Sequence, residues 1–99
     1  MNLPHRKIPQ DLAKWMRQFD RSIQDYKKAD CGSTKQLAKE KMEAFFTKIE
    51  GTCPELNKEQ RTLESRLAKD FQVFLEFPTE NNSNVVQQDL IAFKESLLP

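Results

Sequence analysis

The residues able to do chemistry are few and scattered along the 99-residue sequence, and His5 is the only histidine. It precedes Pro9 and lies on no helical stripe. A di-iron bundle needs Glu-x-x-His pairs on two helices, a zinc site needs three or four His or Cys ligands, and a Cys–His or Ser–His dyad needs its imidazole held rigidly. A phosphotransfer bundle shows its histidine in mid-helix, unlike His5. Gly32 and Gly51 are isolated, so no Gly-rich loop cradles a phosphate. The expectation is a non-enzymatic chain with no catalytic residue, no metal and no cofactor.

Cys31 and Cys53 bracket the second expected helix. A helical rise of 1.5 Å per residue holds them on the order of 25 Å apart, beyond the limit of about 7 Å between bridged Cα atoms. They are expected to be free thiols near helix ends, an intermolecular bridge or a redox role being the alternative. Asp70 falls between Leu67 and Phe71 at the apolar edge of the third helix, where burial disfavours a charge. Pairing with Arg66, four positions earlier, is the simpler expectation.

The first helix carries the sharpest charged feature. At roughly 100° per residue, Lys14, Arg17, Arg21 and Lys28 fall within about 60° of arc, opposite Leu12, Met16, Phe19 and Ile23, and Arg6 and Lys7 extend the line into an N-terminal arm. Cations at one-turn intervals suit the phosphates of a nucleic acid or another polyanion. Asp20 and Asp25 flank the line at spacings that pair with Arg17, Arg21 and Lys28. No aromatic residue shares that face for base stacking. A second feature is apolar residues off their stripes: Trp15, Val73, Val85, Ile91 and Leu98 form the candidate interface, since such positions clustered over a small core mark docking surfaces.

These residues must be positioned by helices, because apolar residues recur at three- and four-residue steps and never in sustained alternation. The spacing predicts four amphipathic helices over about 9–30, 34–50, 54–77 and 85–98, the last one short. The stripes are Leu12, Met16, Phe19, Ile23 and Tyr26; Ala38, Met42, Phe45 and Ile49 with Phe46 at the margin; Leu63, Leu67, Phe71 and Phe74; and Val86, Leu90, Phe93 and Leu97. Pro9 suits a first helical turn, and Gly32 and Gly51 read as left-handed C-terminal caps. Ser33 with Gln36, Thr52 with Glu55, Asn57 with Gln60, and Asn84 with Gln87 have capping spacing. Pro78 stops the third helix ahead of a polar loop, 79–83. Short connections between such stripes give an all-α, small antiparallel helical bundle.

The chain divides into an arm, 1–8, and one bundle domain, 9–99. Apolar residues make up 37% and charged residues 31%, so each helix buries one stripe and the core is thin, which favours a homodimer or larger homo-oligomer. Net charge is +1, divided as 11 Lys/Arg against 7 Asp/Glu in residues 1–50 and 5 against 8 in 51–99. The total is small for a general nucleic-acid binder. No apolar run approaches the roughly 18 residues of a membrane span, and no secretory signal is visible, so the expected location is cytoplasmic. The functional expectation is a protein–protein interaction module, an adaptor, small regulatory subunit or assembly factor that binds another protein or itself. The alternative is a nucleic-acid or polyanion binder acting through Arg6, Lys7, Lys14, Arg17, Arg21 and Lys28.

Overall fold

In a computed structural model, which describes residues 10–53 and 55–97, the chain forms four α-helices: α1 (Gln10–Lys28), α2 (Gly32–Thr52), α3 (Lys58–Glu76) and α4 (Glu80–Ser96). They pair as two antiparallel hairpins, α1 with α2 and α3 with α4, joined into one all-α bundle in which α4 also packs on α1. His5, Arg6, Lys7, Ile8, Pro9, Pro54 and Leu98 lie outside the described residues.

The expected stripes make the core. Leu12, Met16, Phe19 and Ile23 of α1, Leu67, Phe71 and Phe74 of α3, and Val86, Leu90, Phe93 and Leu97 at α4 are all buried. α4 is the shortest helix at 17 residues, yet its stripe is sealed as fully as the others. One register differs on α2: Phe46 is buried with Ala38, Met42 and Ile49, while Phe45 turns sideways to stack on Trp15 at 5.8 Å between ring centroids. The reason is a three-ring cluster at the centre. Phe71 of α3 meets Phe19 edge-on at 5.0 Å and Phe46 at 5.1 Å, and Phe19 lies 5.6 Å from Phe46. Only Phe46 points far enough inward on α2 to complete it.

The helix ends correct several expected caps. Neither glycine has a positive φ: Gly32 opens α2 instead of closing α1, and Gly51 lies in the last turn of α2, continuing the helix that it was expected to stop. Cys31, not Ser33, is the N-cap of α2 and makes no side-chain cap bond. Thr52 belongs to α2, its hydroxyl donating to the Lys48 carbonyl. The Asn57–Gln60 box does form: the Gln60 N–H donates to Asn57 Oδ1 and the Asn57 N–H to Gln60 Oε1. The buried Gln60 amide then donates to the Ser96 carbonyl at 2.8 Å, tying the start of α3 to the end of α4. α4 begins one turn before the expected Asn84 cap, because Thr79 caps first by accepting from the Asn82 N–H. The Asn82 amide donates back to the Phe77 carbonyl and the Ser83 hydroxyl donates to Glu80, which folds the expected polar loop into a helical turn and buries Ser83.

Deleting a buried aromatic side chain removes transfer energy and leaves a cavity. Phe71→Ala is expected to lower unfolding free energy by about 3–5 kcal/mol, whereas Leu37→Ala, at an exposed position, should stay within about 0.5 kcal/mol of the parent. Urea unfolding followed by circular dichroism measures both.

Candidate functional site

With the four stripes turned inward, function must come from what each hairpin leaves outside. On the α3–α4 hairpin the Gln60 amide donates to the Ser96 carbonyl at one end, the Asn82 amide closes the turn on the Phe77 carbonyl at the other, and Asp70 faces Asp89 between them, all in one antiparallel register. That register sets Val73 across from Val86 and its neighbour Val85, with Phe77 one turn further along α3. All three residues are exposed, Val73 and Val85 at 38% and Phe77 at 58%. The register thus sets three exposed apolar residues on the outer side of this hairpin.

The candidate interface residues divide among faces. Val73 and Val85 share the patch just described, which Phe77 completes. Ile91, also exposed, lies on the opposite flank of α4, in an open groove against α1 lined by Met16, Arg17, Asp20, Leu90 and Lys94. Trp15 is half-buried and engaged, stacked on Phe45 with the Lys14 ammonium 4.9 Å and the Lys48 ammonium 5.6 Å from its ring centroid. Phe77 was missed because it sits one residue before Pro78, where the sequence reads as the end of the stripe.

Beneath the apolar patch lie two carboxylates. Asp70 faces Asp89 across the α3–α4 seam, within hydrogen-bonding reach. Asp89 is half-buried overall, but its Oδ2 is enclosed and without a hydrogen-bond partner. Burial, then the hydrogen bond and the charge of Asp70, push the Asp89 carboxyl up to about 7, against a smaller opposing pull from Arg66. The carboxyl in the unusual environment is thus Asp89, on which Arg66 acts as a partial counter-charge, and among the described residues the expected Asp70–Arg66 ion pair does not form. Asp89 was legible: it falls three residues after Val86 and four before Phe93, inside the apolar stripe.

The basic face is broader than α1 alone. Lys14, Arg17, Arg21 and Lys28 are exposed. The flanking acids do not neutralise them as expected: Asp20 accepts from the Gln87 amide of α4 at 3.0 Å. Among the described residues the ion pair formed is Lys27 with Glu80, at 2.9 Å. α2 adds Lys48, which shares the Trp15 ring with Lys14, and Lys41, which lines a groove with Lys28 and Asp25.

The thiols differ sharply. Cys31 is exposed at the start of α2, with the Ser33 and Thr34 hydroxyls 3.4 and 3.0 Å from Sγ, and these bonds lower its pKa to about 7. Cys53 is pushed up to about 12, first by burial and then by Glu64 and Glu50. Glu50 is itself raised by burial and by the charge of Glu64. Among the described residues no group of three or more His, Cys, Asp or Glu is placed to hold a metal ion, and no helix is long and apolar enough to cross a membrane.

Comparison with protein-family models, curated proteins and solved structures finds no significant match to this chain. Its function must be argued from these surfaces.

Because the thiolate is the reactive form, Cys31 should react with a maleimide or disulfide reagent at a rate half-maximal near pH 7. Cys53, half-buried and with its thiol pushed up to about 12, should react far more slowly at the same pH. Equal rates in the native protein would contradict the two environments, and single Cys→Ser variants assign the signal.

Proposed function

We propose that the chain is a non-enzymatic helical interaction module, of the adaptor, small regulatory subunit or assembly-factor kind, that self-associates through the outer face of the α3–α4 hairpin. The observation that carries the reading is the exposure of Val73, Phe77 and Val85 together on a hairpin whose inward stripe is already buried. Apolar surface in a contiguous patch is costly in water and is commonly covered by another protein surface. A two-fold contact uses one patch on both copies. With α3 crossing its copy antiparallel at Val73, the exposed Lys69 of one chain meets the exposed Glu76 of the other, so the flanking charges complement the apolar centre.

Sedimentation velocity over a concentration series tests this directly. The parent chain should sediment as a concentration-dependent monomer–dimer mixture. A Val73→Glu, Val85→Glu double variant should remain monomeric with unchanged helical content, since both positions are exposed. A parent that stays monomeric throughout, or a double variant that still associates, contradicts the reading.

A second reading is favoured by Lys41 and Lys48. With Lys14, Arg17, Arg21 and Lys28 they give the α1–α2 hairpin a two-helix basic face suited to a polyanion. Phosphate binding weakens steeply with log salt concentration, whereas apolar docking does not. Under this reading a fluorescent single-stranded oligonucleotide binds with a steep salt slope, and Lys41→Glu with Lys48→Glu reduces affinity at least tenfold. Unchanged binding in that variant rules the face out.

A further inference from the structure

We propose that Asp70 and Asp89 share a proton across the α3–α4 seam and so act as a pH-sensitive latch beneath the Val73–Val85 face. The geometry favours a proton. An enclosed carboxylate oxygen needs a donor, and leaving a buried acceptor unmade is destabilising. Asp89 Oδ2 has none, while the group within reach is a second carboxyl that can donate only when one of the two is protonated. Two carboxylates sharing one site do not both ionise readily.

The surroundings offer no alternative. One turn away on α4 stand Val85, Val86, Ala92 and Phe93, all uncharged. The charged groups of α3 that act on Asp89 are Asp70 and Arg66, so one cation serves two carboxyls. α1 packs on the other flank of α4, where Asp20 is taken by Gln87, Lys27 by Glu80, and Arg17 and Lys94 line the open groove.

The sign follows. The folded pKa of Asp89 lies above its ordinary value, so the stability gained by holding the proton is full below the ordinary carboxylate range and is lost as pH rises through about 7. Above that pH the paired negative charges repel across the seam, and a carboxylate turning outward brings charge to the edge of the apolar patch. Covering the patch removes water from the pair and favours the protonated form, so docking takes up a proton. This consequence rests on self-association through that face; the latch does not.

Carbon-13 carboxyl titration and urea unfolding between pH 5 and 8.5 test the latch in the full chain. Asp89 is expected to titrate with a midpoint of about 7, and the urea midpoint should fall as pH approaches that value and level off above it. Asp89→Asn, which donates to Asp70 without titrating, should flatten this dependence. Asp70→Asn should move the Asp89 midpoint down toward the ordinary range, a readout that stands if Asp89→Asn folds poorly. An Asp89 midpoint in the ordinary range, or the parent's pH slope retained in Asp89→Asn, overturns the proposal. Sedimentation at pH 6 and pH 8 separates the two ideas: stronger association at pH 6 is expected, while a monomer at both values contradicts self-association and leaves the latch to the titration.

Discussion

Phe71 sits at the junction of the two hairpins, with its ring against Phe19 of α1 and Phe46 of α2. Tyr26 repeats the bridge one layer along by meeting Phe74 edge-on at 5.7 Å. Aromatic pairs at such separations add specific geometry to the area they bury, so these rings set the rotation of each hairpin as well as holding the two together. Once that rotation is fixed, the outward surfaces are fixed too: exposed cations on the outer sides of α1 and α2, and exposed Val73, Phe77 and Val85 on α3–α4 with Asp70 facing Asp89 in its seam. Each candidate activity discussed above lives on one of these surfaces.

The two surfaces differ in how their components depend on one another. On α1–α2, Lys14, Lys48 and Trp15 are coupled, since both ammonium groups draw on one indole ring, but the remaining cations are solvated side chains that act by summed charge. On α3–α4, Asp70 and Asp89 face each other across the seam near Val73 and Val85, with the exposed Arg66 acting on Asp89 by its charge, so protonation and hairpin packing are linked. A small chain with a thin core gains most from association on the second kind of surface, where covering the patch adds the buried area that 99 residues supply sparingly.

Much of this was legible in the residues alone. Periodicity identified all four helices and nearly all of the core, because three- and four-residue spacing is what one-sided burial demands, and Asn57 with Gln60 marked the start of α3. The glycines misled because a helix can begin or run through a glycine, and a left-handed cap is a choice made by the following loop. Thr79 was passed over for Asn84 because five polar residues in succession, 79–83, read as a turn until their side chains are seen capping one another. The order of Phe45 and Phe46 depends on which ring Phe71 meets, a fact of tertiary packing. Asp70 was noticed and Asp89 was not, since the consequence of either appears only when the hairpin register sets them face to face. Lys41 and Lys48 joined the basic face for the same reason: a second helix had to be placed beside the first.

The central claim is that Val73, Phe77 and Val85 form the surface through which this chain meets its own copy. A nitrogen-15 and methyl NMR dilution series at pH 6 examines it most directly, residue by residue. The account predicts concentration-dependent shifts concentrated at Val73, Phe77, Val85 and their helical neighbours Lys69 and Glu76. Shifts centred instead on Ile91 or on Leu37 and Lys41, or spectra unchanged by dilution, would contradict it.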